Sequence, residues 1–385
     1  MKTWIPAFAG MITLYAFLHR FFSQRTGGRQ PLILQLKPTV SDTCIMLKYK
    51  VLSILITVSG ITYPQVNGTS FRVLFYNVEN LFDPYDDTLT EDDEFTPYGA
   101  RNWTYEKFLR KLNRLYKVMA VSGGWYPPDI IALAETEHRW IVEKLARETP
   151  LSKYGYRVVH SESPDRRGID ISILYREGSF VMLSDSTITV RLKEDPPEFT
   201  RDIIHLAGII PGNDTLHLLF NHWPSRYRGQ VNSEWKRVTA ARLLREKVDE
   251  VFTAGQGSGV VIAGDFNDEP CDVSLAEHMG ARIQWSDTVS RDLYNLSADE
   301  IKAGYGTHKF QGGWYMFDQF IVSGKLLNST VSCNARILDF DFLLEEDKAY
   351  LGLKPFRTYN GYTYQGGFSD HLPILLELTL YGPVP

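Results

Sequence analysis

From residue 71 onward, apolar residues follow either the short runs of β-strands or the wider spacing of amphipathic helices. Helical spacing predicts helices at "YEKFLRKLNRLYKVM" (105–119), "RWIVEKLARE" (139–148) and residues 233–252. A turn-rich segment occupies 354–370. Because βα and ββ steps are mixed and no linker divides 71–381, the pattern predicts one α/β domain with mixed sheets. The predicted strands, in chain order, are "FRVLFYN", "DIIALAE", "YRVVH", "DISILYR", "DIIHLAGII", "TLHLLFNHW", "VVIAGDF", "YMFDQFIVS" and "LPILLELTL".

Polar side chains crowd the end of one predicted strand, "VVIAGDFNDEP" (260–270). Alternate residues of a strand share a face, so Asp265 and Asn267 can point the same way. Taken alone, the stretch is more typical of a turn than of a site, because Gly, Asp and Asn are common turn residues. Similar endings recur elsewhere, which favours a site, since sites in open α/β folds gather at strand ends. The residues at these other ends are Asn77, Glu79, Glu135, His222, Asp318, Asp370 and His371.

These residue types suit one kind of chemistry. Carboxylates and amide oxygens are hard ligands that fit Mg²⁺, which often contacts substrate phosphate as well. A further carboxylate can act as a general base, and an imidazole paired with an Asp can donate a proton to a phosphate oxygen. The sequence therefore predicts hydrolysis at phosphorus.

The charge distribution limits the kind of partner. The chain of 385 residues is 44% hydrophobic and 23% charged, an ordinary globular composition. Residues 1–50 hold seven Lys or Arg and one acid, a net charge of +6, while the whole chain carries −5, which leaves −11 for the remainder. A broad basic face for nucleic acid is therefore not expected, because such binding neutralises many phosphates.

The N-terminal segment indicates export. After Met46 come Lys48 and Lys50, the apolar run "VLSILITVSG" and a polar exit, an order typical of a secretory signal peptide and too short for a membrane span. We expect residues 1–45 to be disordered or a mis-assigned start, 46–68 to be signal-like, and 69–381 to form a secreted or periplasmic monomer without a membrane span. A membrane anchor at residues 4–18 is the alternative, weakened by its length and by Pro6.

The motifs "NVEN", "DIIALAE", "NHWPS", "GDFND", "FDQFIVS" and "SDHLPI" together resemble the endonuclease/exonuclease/phosphatase superfamily, from about residue 71 to 380. This superfamily includes deoxyribonuclease I, abasic-site endonucleases, sphingomyelinases and inositol polyphosphate 5-phosphatases. The resemblance implies a four-layer α/β sandwich of two mixed β-sheets flanked by helices. It also implies a Mg²⁺ cofactor, with Mn²⁺ able to substitute.

Matching the motifs assigns a role to each residue. The resemblance makes Glu79 a candidate helper of the metal-binding pair and Asp170 a candidate to orient His222, although the spacing of Asp170 differs from that of the Glu common in relatives. The resemblance implies that the metal ligands are Asn77, Glu135 and Asp370; that the catalytic residues are Asp265 (general base), Asn267, His222, His371 and Asp318 (orienting His371); and that the substrate contacts are Arg201 and Arg226.

Several alternatives stay open at this point. Arg226 is equally typical of a solvated surface residue, and the acidic loop 86–94 is predicted to be solvated, with Ca²⁺ binding as the alternative. Cys271 and Cys333 are expected to be free buried thiols, with a disulfide as the alternative. The favoured substrate is nucleic acid; the alternatives are a phospholipase C-like activity, an inositol or sugar phosphatase, and an inactive binding module on the same fold.

Overall fold

The computed structural model describes residues 69–381 apart from 213 and 256–258, so the expectations for residues 1–68 lie outside the described residues. In this described part, no helix has the length and apolar character needed to cross a membrane.

The described helices are α1 (Tyr105–Ser122), α2 (Arg139–Glu148), α3 (Gln230–Thr253), α4 (Ala298–Lys302) and α5 (Gly324–Asn328), with short helical turns at Asp93–Phe95, Pro150–Tyr154, Ser274–His278 and Asp341–Leu343. The described strands are β1 (Thr69–Leu81), β2 (Ile130–Thr136), β3 (Tyr156–His160), β4 (Asp170–Arg176), β5 (Val181–Ile188), β6 (Arg191–Glu194), β7 (Pro197–Phe199), β8 (Ile203–Ile209), β9 (Thr215–His222), β10 (Gly259–Asp265), β11 (Ala281–Arg282), β12 (Leu293–Asn295), β13 (His308–Phe310), β14 (Gly313–Tyr315), β15 (Asp318–Ser323), β16 (Thr330–Ile337), β17 (Leu344–Glu346), β18 (Leu353–Pro355), β19 (Tyr359–Asn360), β20 (Thr363–Tyr364) and β21 (Ile374–Leu380).

The long strands form two mixed sheets, as the sequence predicts. Among the described residues, the first sheet has the order β16-β21-β1-β2-β4-β3 and the second β11-β12-β15-β10-β9-β8-β5. The pairs β1–β2 and β9–β10 are parallel, and α1 and α3 lie in the two connections that join them. Parallel neighbours require such a crossover, which explains where these two helices fall in the sequence.

Three apolar cores hold four layers together. Phe75 of the first sheet and Phe220 and Val261 of the second belong to one buried core, so the sheets pack face to face. On the opposite face of the first sheet, Leu74 shares a core with α1 and α2; on the outer face of the second, Ile262 shares one with α3. The order helix, sheet, sheet, helix confirms the predicted four-layer sandwich.

The structure departs from the sequence predictions at a few points. Strand β15 begins at Asp318 rather than at Tyr315, because Tyr315 belongs to the β13–β14 hairpin. The segment 354–370 contains the β19–β20 hairpin within its turns. Cys271 and Cys333 are both free, as expected, but Cys271 is exposed and Cys333 is only partly buried, so the expectation of two buried thiols is wrong.

Candidate active site

Three polar residues lie side by side across three neighbouring strands of the second sheet. Asp265, the last residue of β10, is in register with His222, the last residue of β9, and with Asp318, the first residue of β15. All three side chains are buried. Nε2 of His222 lies 3.7 Å from Oδ2 of Asp265. A parallel and an antiparallel pairing therefore bring two acids and an imidazole to one edge of the sheet.

His371 completes this group from the loop before β21. Its Nδ1 lies 2.6 Å from Oδ2 of Asp318, and its Nε2 lies 3.8 Å from Oδ2 of Asp265. The loop is fixed by Ser369, whose hydroxyl donates to the carbonyl of Asn77 and accepts from the backbone N–H of His371. The structure therefore brings together the predicted His371–Asp318 pair and places Asp265 beside it.

Burial sets the protonation of these groups in opposite ways. Burial opposes a charged His371, but the negative charges of Asp318 and Asp265 outweigh it and hold the pKa of His371 well above its usual value. Burial raises the pKa of Asp265 to about 7, although the charge of His371 counteracts this. Burial and the nearby charge of Arg201 hold the pKa of His222 well below its usual value, so this imidazole is neutral. A positively charged His371, a carboxyl group with a raised pKa on Asp265 and a neutral His222 therefore lie next to one another.

The first sheet contributes Asn77 and Glu135. Nδ2 of Asn77 donates to Oε1 of Glu135 over 3.3 Å and to Oδ2 of Asp265 over 3.0 Å. Oδ1 of Asn77 accepts from the backbone N–H of Glu79, so it is the amide nitrogen that faces the acids. Glu135 has a left-handed backbone with φ of 65°, an unfavourable state for a residue other than Gly that is characteristic of functional sites. Its side chain is 15% exposed and Oε1 lies 3.7 Å from Nε2 of His222.

Asp370 and Glu79 are both bound to Arg357. Oδ2 of Asp370 accepts from Arg357 over 2.8 Å, and Oε1 of Glu79 lies 3.5 Å from Nε of the same guanidinium. Against the opposing effect of burial, the positive charge of Arg357 lowers the pKa of Asp370 to about 2. Glu79 also accepts from the backbone N–H groups of Thr358 and Tyr359. These acids therefore anchor the segment around 357–359 beside His371.

A sequence model of the Endonuclease/Exonuclease/phosphatase family matches residues 72–380, which is most of the chain and includes every residue of this site. The chain belongs to the endonuclease/exonuclease/phosphatase family. The predicted resemblance is thereby confirmed, and the protein is a member of a family of phosphate-ester hydrolases that generally use a divalent metal ion. Among curated proteins, none matches the chain.

Three solved structures illustrate the folds to which this chain is similar. A humanized D. rerio TDP2 is 14% identical with a TM-score of 0.49, covering 80% of this chain and 99% of that one. A truncated Caenorhabditis elegans TDP2 is 16% identical with a TM-score of 0.49, covering 82% and 99%. The human Nocturnin catalytic domain with bound sulfate anion is 14% identical with a TM-score of 0.49, covering 81% and 94%.

The donor atoms of this family member suit a hard divalent cation. Of the three predicted ligands, Glu135 presents its carboxylate beside the amide of Asn77 and close to His222, and its partial exposure leaves one side open. Oxygen-rich sets of this kind favour Mg²⁺ or Mn²⁺ over softer ions. Asp370, the third predicted ligand, has one oxygen held by Arg357.

The two arginines predicted to contact substrate already have protein partners. Arg201 is buried, donates to the carbonyl of Trp223 over 2.7 Å and pairs with Asp165 over 3.2 Å. Arg226 donates to the carbonyl of Asn267 over 2.8 Å and forms ion pairs with Asp268 and Asp272. These contacts give both arginines a structural role: Arg226 fixes the "GDFND" loop, and the charge of Arg201 adds to the effect of burial in lowering the pKa of His222.

The side chains of Asn267 and Asp170 each form a hydrogen bond with the protein backbone. Asn267 is buried with a left-handed φ of 51°, and its Nδ2 donates to the carbonyl of Trp223. Asp170 accepts from the backbone N–H of Ser163. Its other oxygen and Nδ1 of His222 each lack a hydrogen-bond partner among the described residues. The structure therefore shows no hydrogen bond by which Asp170 would orient His222.

Besides Arg357, two residues beside the site were not predicted from the sequence. His308 is paired in a β-bridge with His371, with ring centroids 4.6 Å apart, and burial lowers the pKa of His308 to about 4. Arg167 is exposed, and its charge contributes to lowering the pKa of His222. Both lie in segments without a recognisable motif, "GTHKF" and "PDRRG", and only the fold brings them near the strand ends.

Proposed function

We propose that this protein is a Mg²⁺-dependent phosphodiesterase that hydrolyses nucleic-acid backbones with an activated water molecule. The observation that carries the proposal is the buried contact between His371 and Asp318 beside Asp265. A binding module does not need a charged imidazole and a carboxylate of raised pKa in one buried space, because both cost folding free energy.

The roles of the residues follow from their protonation states. Asp265 has a pKa of about 7 and is suited to accept a proton from water near neutral pH. His371, held positive by Asp318, stabilises the negative charge that develops on a phosphate oxygen. Asn77 orients Glu135, which would hold the metal ion. When bound, Mg²⁺ supplies Lewis-acid polarisation of the phosphate.

The charges around the site favour a phosphodiester over a phosphomonoester. Arg201, Arg226 and Arg357 are each paired with at least one carboxylate. The carboxylates of the site would therefore repel the second negative charge of a phosphomonoester, and these three arginines offer little unpaired positive charge to offset that repulsion. A phosphodiester carries one charge fewer. Arg167 is 47% exposed and its ion pair with Asp165 is long at 3.8 Å, so its guanidinium can turn to a neighbouring phosphate, which supports a polymer such as nucleic acid.

A hydrolysis panel tests this proposal. Purified protein with Mg²⁺ is assayed on duplex DNA, single-stranded DNA, RNA, sphingomyelin, inositol phosphates, bis(p-nitrophenyl) phosphate and p-nitrophenyl phosphate. We expect cleavage of a nucleic acid and of the diester, loss of activity in EDTA, and recovery with Mg²⁺ or Mn²⁺. Preference for a lipid or for the monoester would favour a sphingomyelinase-type or phosphatase activity instead, and full activity after exhaustive chelation would refute the metal dependence.

We also propose that the protein is exported as a monomer whose mature chain begins between about residues 60 and 70, from the basic and then apolar order after Met46. Mass spectrometry of the native protein gives the mature N-terminus directly. A cytosolic product that retains residues 1–45 would contradict export.

A further inference from the structure

A second group of acidic residues lies outside the candidate active site. Asp83, Asp87 and Asp92 belong to the segment after β1, whereas Glu137 and His138 follow β2. These five residues are called the Glu137 cluster here. Glu137 is two residues from Glu135, but the two side chains have different contacts: Glu135 lies against Asn77 and His222, whereas Glu137 accepts from the backbone N–H of Asp83.

The distances within the Glu137 cluster suit a shared ion. One ligand atom each from Asp83, Glu137 and His138 lie within 4.8 Å of one another. Nε2 of His138 is 3.9 Å from Oε1 of Glu137 and 3.8 Å from Oδ2 of Asp87, both too long for hydrogen bonds. Atoms that bind a common ion at about 2.1–2.4 Å lie roughly 3–4.5 Å apart, which is the spacing found here.

Two buried oxygens in the cluster have no hydrogen-bond partner. Oε1 of Glu137, which faces His138, and Oδ1 of Asp92 are both unpartnered within the part of the chain that the structure describes. Both residues are only 1% exposed. The charge of Asp92 acts on both Asp83 and Glu137, so the acids are close neighbours. A buried carboxylate oxygen normally has a partner, and several acids in one place repel one another unless a bound cation or protons neutralise them.

The surrounding protein does not supply that positive charge. Among residues 69–381 as described, no Lys or Arg forms an ion pair with Asp83, Asp87, Asp92 or Glu137, while neighbouring Glu91 and Glu94 pair with Arg166 and Arg101. The remaining basic group is His138, whose Nδ1 contacts Glu162 and whose Nε2 faces the cluster. The arrangement therefore has the ligands of a cation site and, within the described part of the chain, no ion pair with a Lys or Arg to balance the acids.

We propose that Asp83, Glu137 and His138, with Asp87 and Asp92 around them, bind a second divalent cation, separate from the one in the candidate active site. Carboxylates combined with one imidazole suit ions of the Mn²⁺ or Zn²⁺ type, whereas Ca²⁺ would use the carboxylates alone. The ion would tie the segment 82–95 to the chain immediately after Glu135. It therefore holds in place the strand end from which the Glu135 carboxylate projects.

Counting bound Mn²⁺ tests this proposal, because free Mn²⁺ gives an electron paramagnetic resonance signal that bound Mn²⁺ loses. We expect Glu137→Gln and Asp83→Asn each to bind one ion fewer than the wild type, and Glu135→Gln to keep the ion of the cluster. Asp93→Asn is the matched control, since it removes an exposed carboxylate from the same segment. We expect it to bind as many ions as the wild type. Equal Mn²⁺ counts in the wild type and both cluster variants, or an equal loss in Asp93→Asn, would overturn the proposal.

Thermal unfolding separates loss of binding from loss of folding and identifies the ion. Without metal, Glu137→Gln should unfold at or above the wild-type temperature because it removes one of the crowded acids, but Mn²⁺ should raise its unfolding temperature by less than it raises that of the wild type, since only the active-site ion still binds. His138→Ala should weaken Mn²⁺ binding by more than about tenfold and leave the Ca²⁺ response unchanged. If Mn²⁺ and Ca²⁺ each stabilise Glu137→Gln as much as they stabilise the wild type, the proposed site is wrong. These measurements do not involve hydrolysis, so they stand even if the proposed activity fails.

Discussion

At the scale of single residues, the candidate site depends on what burial does to charged groups. His371, Asp318 and Asp265 are almost completely buried, and each would be costly to ionise alone. Together, two acids favour the charged imidazole, while Asp265 retains a raised pKa of about 7. The same environment that costs stability supplies a general base near neutral pH and a fixed positive charge.

The pairing of His371 with Asp318 predicts a specific pattern of mutational effects. His371→Ala should lower kcat by about 10²–10⁴-fold because it removes a charge that stabilises the transition state. Asp318→Asn should impair the same step, and the double variant should be little worse than His371→Ala because the two act as a unit. Steady-state kinetics of the three variants, with circular dichroism to verify folding, measure this. Multiplicative losses would mean that the two residues act separately.

Asp265 makes a prediction about stability that is independent of the substrate. Its pKa is raised from 3.8 to about 7, so the folded state favours the protonated form and loses stability as pH rises between these values. In metal-free protein, Asp265→Asn should therefore unfold at a higher temperature than the wild type at pH 8, with the gain disappearing toward pH 4. It should also abolish hydrolysis.

Thermal unfolding at both pH values measures this gain, with Asp185→Asn as an exposed control on β5. If Asp265→Asn is less stable than the wild type at pH 8, Asp265 is stabilised as a carboxylate in the folded protein, contrary to this account.

The residue types of the site were predictable from sequence where they fall in one motif, as Asp265 and Asn267 do. Partners that depend on tertiary contacts were not. Arg357 and His308 come from unremarkable segments and reach Asp370 and His371 only through the fold. Sequence also could not show that Arg226 is paired with Asp268 and Asp272, because a phosphate-binding arginine and a loop-fixing arginine look alike.

At the scale of elements, the register of three strands aligns the chemical groups. Asp265 pairs with His222 on one side and with Asp318 on the other, so a shift by one residue would turn these side chains to opposite faces. The buried strands were predictable because their apolar runs are continuous. The edge strands β5 and β16 were not: β5 is mostly exposed and polar, and it is a strand because β8 pairs with it.

Gly264 tests the importance of close strand approach. A Cβ atom at this position would lie 2.4 Å from the carbonyl oxygen of Asn221 and 2.7 Å from its Cβ, so Gly264→Ala must push β10 away from β9. We expect a loss of about 1–3 kcal/mol in the free energy of unfolding. We also expect activity to fall further than stability explains, because Asp265 moves relative to His222.

Urea unfolding and kinetics check both effects. Gly178→Ala is the control, since a Cβ there has no atom within 4 Å. If Gly264→Ala has wild-type stability and activity, then neither property depends on the close spacing of β9 and β10.

At the scale of the whole molecule, both sheets contribute to one site. The first supplies Asn77 and Glu135, the second His222, Asp265 and Asp318, and the core between them holds the two sets in contact. The alternation of strands and helices predicted one α/β domain with mixed sheets, and the resemblance of the motifs to the family implied the sandwich of two sheets. The family match over residues 72–380 agrees with it.

The central claim is that the buried group around Asp265 directs water at phosphorus. The most direct measurement is hydrolysis of bis(p-nitrophenyl) phosphate in ¹⁸O-labelled water with Mg²⁺, followed by mass spectrometry of both products. We expect one ¹⁸O atom to enter p-nitrophenyl phosphate, p-nitrophenol to stay unlabelled, and Asp265→Asn to form neither product above background. Label in p-nitrophenol, or labelled phosphate at the wild-type rate in Asp265→Asn, would contradict the central claim.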